Sequence, residues 1–240
     1  MDYRTKFYSK YHSTHTKILY GEASFDDLRE QSIFWEYYYK DFLTKDSEAT
    51  VLDLGCGDGL FVYWLQHMGY KNSYGIDISS EQVEIAKKLG IENITHADIF
   101  EFLNNKKGVY DMIIARDVIE HFKKDELLSL LELVYSNLKE GGRFIIKTPN
   151  GESPFTGRYR WGDFTHEVIF TWSSLNQLFK VTGFREVKFK PAGPVPHGLK
   201  SAVRYFLWKC IETFLRFYII VETGQKKGIF TQNIIACGVK

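Results

Sequence analysis

The sequence predicts an α/β fold in which strands and helices alternate, and three observations predict it. The apolar run Val51-Leu52-Asp53-Leu54 meets a glycine turn, Gly55-Cys56-Gly57-Asp58-Gly59, that opens directly into the apolar helical stretch 61–65. Two further short apolar runs end in an acid, Asp77 and Asp98, and helical patterns follow them. A chain of 240 residues with 44% hydrophobic content can bury one substantial core, so one α/β domain with additions is expected.

Taken in order, residues 1–24 are rich in Tyr, His, Lys and Ser/Thr without a clean period and read as a partly ordered arm. Residues 25–44 read as a helix, with Phe25, Leu28, Ile33, Phe34, Tyr37, Tyr38 and Phe42 at spacings of three and four and acids early at Asp26 and Asp27. Together, 1–44 form an N-terminal arm and helix, and 45–240 the main domain. Strands are expected over 51–54, 73–79, 94–100, 109–115, 143–148, 184–190 and 228–239. Helices are expected over 81–89, with Ser79 or Ser80 as cap, over 127–138, stopped by Gly141-Gly142, and over 175–182. Residues 193–227 are an insertion carrying an amphipathic helix, 199–221. Its apolar face holds Ala202, Val203, Phe206, Leu207, Cys210, Ile211, Phe214, Phe217 and Tyr218, and its polar face is mainly basic.

Composition narrows the partners. With 31 basic and 30 acidic residues the net charge is +1, which gives no global pull toward nucleic acid. Cys56, Cys210 and Cys237 are far apart, so neither a disulfide framework nor a thiolate zinc spacing is present. Residues 1–20 lack an apolar stretch of signal-peptide type. A reducing, cytoplasmic setting is expected.

A glycine turn at a strand end lets a ligand lie against the main chain, and the helix behind it presents free N–H groups to an acidic ligand. Dinucleotide turns read Gly-x-Gly-x-x-Gly. Here the third glycine comes one residue early, and position 60 is Leu, which disfavours an NAD-dependent oxidoreductase. An acid about 20 residues beyond such a turn suits ribose hydroxyls, and Asp77 stands there. The pattern Asp53-x-Gly55-x-Gly57-x-Gly59 resembles the cofactor loop of class I S-adenosylmethionine-dependent methyltransferases, over roughly 45–190 plus the last strand. The resemblance implies a Rossmann-like, seven-stranded, mostly parallel sheet whose last strand runs antiparallel between the fifth and sixth. It also implies a site. The loop at Gly55, Cys56 and Gly57 holds the methionyl end, with Asp53 near the ammonium. Asp77 takes the ribose and Asp98 the adenine amino group. Ile78 and Ile99 sandwich the adenine, and Arg116 stands beside the cofactor. The N-terminal arm becomes a lid, with Tyr8, Tyr11, His12 and His15 toward ligand.

The acceptor is less legible. The loop 116–121 faces the methyl end in this fold, which makes His121 a candidate base for a hydroxyl acceptor. Asp117, Glu120 and His121 also resemble the loop in which ubiquinone-pathway O-methyltransferases hold a divalent ion. That set needs a further oxygen ligand or water. The segment 149–172 is long for a strand–helix connection. It offers His166 as a second candidate base, and Arg158, Tyr159, Arg160 and Trp161 for acceptor binding through cationic and stacking groups. Asp-x-Thr-His in it resembles small-molecule and glycan methyltransferases. The expected reaction is O-methylation of a sugar hydroxyl on a surface-glycan or lipid-linked intermediate. A phenolic or quinone-type acceptor comes second, and a non-catalytic S-adenosylmethionine-binding scaffold is the rival from another class. For helix 199–221, three coverings are expected in turn: the protein's own core, a second copy in a homodimer, and an anionic membrane surface.

Overall fold

A computed structural model describes residues 3–104 and 106–240. The arm is helical throughout: α1 (Tyr3–Tyr8), a π-helical turn (His12–Thr16) and α2 (Lys17–Tyr20). It ends at Gly21, and Ser24 then caps α3 (Phe25–Tyr39) by accepting from Asp27 N while the Asp27 carboxylate accepts from Ser24 N. The domain follows as β1 (Val51–Leu54), α4 (Leu60–His67), β2 (Ser73–Asp77), α5 (Ser80–Lys88), β3 (Ile94–His96), α6 (Ile99–Leu103), β4 (Tyr110–Arg116), α7 (Lys124–Asn137) and β5 (Leu138–Pro149). It closes with α8 (Thr156–Arg160), α9 (Trp172–Val181), β6 (Arg185–Ala192), α10 (Leu199–Thr223) and β7 (Asn233–Val239).

The seven strands lie in the order β3-β2-β1-β4-β5-β7-β6, with β7 antiparallel to both of its neighbours and the other pairs parallel. This is the Rossmann-like arrangement the resemblance implies. Strand periodicity divides the core between the two faces. Leu52, Leu54, Ile113, Ala115, Phe144 and Ile146 pack with α7 and α9 on one face. Val51, Met112, Ile114 and Ile145 pack with Trp35 and Tyr39 of α3 and with Phe61, Trp64 and Leu65 of α4 on the other. Apolar residues on both faces are what a sheet covered twice requires.

The structure differs from expectation in several places: β3 stops at His96, residues 99–103 form helix α6 rather than strand, and β7 begins only at Asn233. The arm is ordered into helices and pinned to the domain by side-chain bonds. The helix before β5 ends at Asn137, four residues ahead of Gly141-Gly142, because Leu138 is already extended and pairs with Tyr110. The long segment after β5 contains helix α8. The insertion helix α10 does not pack into the core: none of its residues is buried, although Tyr205, Trp208, Glu212 and Leu215 lie half-covered on its inner side.

Candidate active site

The carboxyl ends of β1, β2 and β4 meet at the glycine loop. Gly55, Gly57 and Gly59 all have φ between +58° and +78°, where a side chain is strained. At Gly55 a Cβ would also sit 2.5 Å from Val118. At Gly57 the space beyond is open except for Gln82 at 3.9 Å, so here the main chain itself faces the opening. Gly57 N donates to Asp77 Oδ2 at 2.8 Å and Ser79 N to Asp77 Oδ1 at 2.7 Å. This fixes the carboxylate at the strand end with lone pairs left for two hydroxyls. Burial raises its pKa, although those two N–H groups oppose the rise.

Asp53 lies completely buried beneath the loop, and neither carboxylate oxygen has a hydrogen-bond partner. Burial pushes its pKa up to about 7, against the pull of Arg116. Arg116 Nη2 stands 3.9 Å from Asp53 Oδ2, and its guanidinium lies over the Phe61 ring at 3.9 Å from the centroid. A buried acid without hydrogen bonds calls for a cationic partner, and the ammonium of S-adenosylmethionine supplies one. Asp98 caps α6, accepting from Phe100 N and Glu101 N through Oδ1. Ile78 is 43% exposed at the end of β2, whereas Ile99 is nearly buried. The residues present therefore fit the cofactor that the loop pattern implies.

The second half of the site gathers after β4. His121 is buried, and its Nδ1 meets Thr165 Oγ1 at 2.9 Å; Thr165 Oγ1 in turn donates to Asp163 Oδ1 at 2.6 Å. Because the hydroxyl proton goes to Asp163, Thr165 accepts from His121 Nδ1–H, and His121 Nε2 carries the lone pair. His166 donates through Nδ1 to Tyr159 O at 2.9 Å, so its Nε2 carries a lone pair too. The two imidazole centroids lie 4.8 Å apart. Burial lowers the His121 pKa to about 4, and His166 adds to the fall. Glu120 is wholly buried: Oε2 accepts from Thr148 Oγ1 at 2.9 Å, while Oε1 has no partner and lies 4.0 Å from His166 Nε2. Burial drives its pKa well above the usual carboxylate range, and Asp117 adds to that. Asp163 is held below the ordinary value because the bonds from Thr165 and Tyr11 outweigh its burial.

One expected grouping does not form. Asp117 has φ +56° and turns its carboxylate outward to Lys147, away from Glu120 and His121. The residue that completes a close trio with those two is His166: one ligand atom from each of Glu120, His121 and His166 lies within 4.8 Å of the others. Arg158, Tyr159, Arg160 and Trp161 form the end of α8 and its cap at the rim, with the Arg160 guanidinium over Trp161.

The arm spans both halves. Tyr11 donates to Asp163 Oδ2 at 2.5 Å, and His15 lies 3.6 Å from the same oxygen. The Tyr8 and Tyr11 rings stand edge-on to His121 at 6.1 and 6.4 Å. Ser13 N and Oγ bond to Glu81 on α5, and Gln82 Nε2 donates to Thr16 Oγ1. Tyr3 bonds to Glu167, and beside this contact a recess of about 400 Å³ is lined by Tyr3, Phe164, His166 and Glu167. A larger recess, about 770 Å³ between Lys40, Thr44, Tyr70 and Arg143, lies at the amino ends of the strands, away from this chemistry. Asp163 and Thr165 entered the sequence reading only as part of Asp-x-Thr-His, with no role of their own, and Gln82 did not enter it. Asp-x-Thr-His held the signal for the first two, and nothing marked Gln82.

Strand order, glycine loop and strand-end acids define a class I methyltransferase fold with an S-adenosylmethionine site. A family model described as a methyltransferase domain matches residues 31–188. The chain belongs to that methyltransferase-domain family. Among curated proteins it is 34% identical over 135 residues to the ubiquinone biosynthesis O-methyltransferase of Rickettsia prowazekii, covering 54% of this chain and 50% of that one. It is 35% identical over 113 residues to a probable (S)-tetrahydroprotoberberine N-methyltransferase 2 of Papaver bracteatum, covering 44% and 30%. The chain thus spans a third to a half of the first curated relatives it matches. Among solved structures, a SAM-dependent methyltransferase from Archaeoglobus fulgidus superposes with TM-score 0.66 at 22% identity, over 88% of this chain and 94% of that one.

Proposed function

We propose that the protein transfers the methyl group of S-adenosylmethionine to a hydroxyl oxygen, the acceptor being a sugar of a surface-glycan or lipid-linked intermediate. The observation that carries the reading is the pair of buried His121 and half-buried His166, each with its Nδ1 proton committed and its Nε2 lone pair free, beside the loop that follows β4. Methyl transfer from a sulfonium needs alignment, exclusion of water and, for a hydroxyl, removal of one proton. An imidazole lone pair at this position accepts that proton, and Glu120 stands behind His166 to take up charge. Asp53, the loop main chain, Asp77 and Asp98 orient the donor. Tyr8 and Tyr11 screen the site from water. Arg158, Arg160 and Trp161 offer the cationic and stacking surface that a glycan uses.

The aromatic surroundings of His121 also suit a phenol, and the ubiquinone-pathway relative supports that second reading. A scaffold that binds the cofactor without catalysis would not need two lone pairs held beside the loop.

Helix α10 supports the lipid-linked version. Val203, Phe206, Leu207, Ile211, Phe214, Phe217, Tyr218 and Val221 are all at least half exposed along one face. Lys200 and Arg204 border this stripe, Lys226 and Lys227 follow the helix, and Glu212 turns inward to Lys209 and Arg216. A basic, aromatic-rich rim around an apolar stripe matches an anionic bilayer surface. No helix among the described residues is long and apolar enough to cross a membrane. The reading thus places the protein in the cytoplasm, docked on the inner membrane surface through α10.

Two experiments test these readings. A labelled-methyl screen against nucleotide sugars, oligosaccharides, lipid-linked sugars and phenols should label a sugar hydroxyl; label in phenols alone would replace the first acceptor class by the second. Co-sedimentation with anionic and neutral vesicles should show salt-sensitive binding to the anionic ones, weakened by Phe206→Ser with Phe214→Ser. A stable dimer with no vesicle binding would assign α10 to a second copy instead.

A further inference from the structure

We infer that Gln82 holds S-adenosylmethionine and the arm with the two ends of one amide: Oε1 accepts from a ribose hydroxyl of the donor while Nε2 donates to Thr16. The inference rests on the donor site and not on which acceptor is methylated.

The start of α5 is an unfinished piece of structure. Ser79-Ser80-Glu81-Gln82 has the spacing of a capping box. In that device the serine hydroxyl accepts from the main chain three residues on, and the glutamine oxygen accepts from the serine N–H. Neither half forms here. Ser79 makes no side-chain cap on α5, and its N–H already goes to Asp77 Oδ1 at 2.7 Å. Ser79 Oγ and Gln82 Oε1 are therefore left without a partner among the described residues. Both residues are buried, at 2% and 5% exposure. A buried amide oxygen is costly unless a donor meets it.

The place of that oxygen points to the donor. A Cβ built on Gly57 would meet the Gln82 amide carbon at 3.9 Å and Oε1 at 4.0 Å. Oε1 is thus turned toward the point where the loop main chain faces the opening. Gly57 N is itself bonded to Asp77 Oδ2, so Oε1 borders the corner where the strand-end acid suits ribose hydroxyls. Both Asp77 oxygens already accept a main-chain N–H. Gln82 adds an acceptor, and one ribose hydroxyl then donates to Gln82 and the other to Asp77. The far end of the amide is engaged as well. Nε2 donates to Thr16 Oγ1 at 3.2 Å, at the end of the π-helical turn in the arm. An amide is planar, so a ligand that fixes its oxygen also fixes the direction of its N–H groups. Donor binding then favours the closed arm, and the closed arm favours donor binding by the same factor.

The test is calorimetry on the full chain with S-adenosylhomocysteine and its 2′-deoxy and 3′-deoxy analogues. Gln82→Met keeps the length of the side chain and should weaken S-adenosylhomocysteine about tenfold. One of the two analogues should bind Gln82→Met and wild type alike, because it lacks the hydroxyl that Gln82 accepts from. In a Thr16→Val background, Gln82→Met should still weaken S-adenosylhomocysteine about threefold or more. Limited trypsin digestion reads the arm directly. Saturating S-adenosylhomocysteine should slow cleavage after Lys10 and Lys17 about tenfold in wild type and less than about twofold in Gln82→Met. Unchanged affinity in Gln82→Met overturns the contact. A loss kept in full with both deoxy analogues overturns the ribose assignment, and a loss that vanishes in Thr16→Val reduces Gln82 to an anchor of the arm. Should Gln82→Met fail to fold, wild type decides: equal protection of the arm by S-adenosylhomocysteine and by both analogues overturns the inference, and weaker protection by one of them supports it. Wild-type binding of S-adenosylhomocysteine separates the two proposals. Intact binding with a silent Gln82 removes this inference alone, whereas no binding removes the donor site with it.

Discussion

The two halves of the candidate site are built in different ways. The cofactor half uses strand ends that are neighbours in the sheet and main-chain atoms that any sequence supplies. Its specificity lies in a few residues, three glycines and the acids Asp53, Asp77 and Asp98. The acceptor half brings together Tyr8 and Tyr11 from the arm, Glu120 and His121 after β4, and Asp163, Thr165 and His166 from a segment over forty residues later. The first half depends on local order along the chain and the second on tertiary closure. Substitutions should therefore separate them cleanly.

The largest effect belongs to Asp77→Ala. It removes the carboxylate expected to take the ribose and the partner of Gly57 N, and S-adenosylhomocysteine affinity should fall at least 100-fold by calorimetry. Unchanged affinity would break the cofactor assignment. Next, once an acceptor is known, His121→Ala and His166→Ala should lower turnover by 10² or more. Cofactor affinity should stay within about threefold; a parallel loss of both would mean that the halves are not separable.

The third effect is a pH profile. Burial raises the Asp53 pKa in the native state to about 7, well above the ordinary carboxylate value of 3.8. Between those values the folded state binds more protons than the unfolded one. The stability of the ligand-free protein should thus fall as pH rises from about 4 through 7 and then level off as far as Asp53 is concerned. The ligand ammonium favours ionised Asp53, so S-adenosylhomocysteine affinity should rise with pH over the same window. Asp53→Asn should flatten both curves, which chemical denaturation and calorimetry would record. The smallest effect is Tyr11→Phe, which removes one bond to Asp163. It should raise the acceptor KM a few-fold and, by loosening the arm, raise turnover slightly; a dominant loss of turnover would move Tyr11 from screening to chemistry.

The same contrast explains what the sequence made legible. Alternating apolar runs, a glycine turn with Leu60 in place of a third spaced glycine, and acids at strand ends are local patterns; they marked the alternating α/β elements, and the strand order followed from the family resemblance they carry. Strand ends were less exact: β3 stops at His96 because Asp98 is already committed to capping α6, and β5 begins at Leu138 because pairing with Tyr110 takes over from the helix. Sequence adjacency groups Asp117 with Glu120 and His121, whereas a left-handed backbone at Asp117 turns its side chain toward Lys147. Only the folded segment after β5 brings His166 to Glu120. The arm gave no periodic signal because it is held by individual polar bonds to Glu81, Gln82, Asp163 and Glu167 rather than by an apolar stripe.

That arm has a kinetic consequence. It grips α5 beside Gly57 through Ser13 and Thr16, and it grips Asp163 beside His121 through Tyr11. One clasp thus spans the exits of two ligands. On the proposed methyl transfer, donor and acceptor products are expected to leave by one opening of this clasp, which would then bound the turnover rate. Rapid-quench measurements should then show a burst of one methylated product per protein before the steady rate, and loosening the clasp with Ser13→Ala and Thr16→Ala should raise that steady rate.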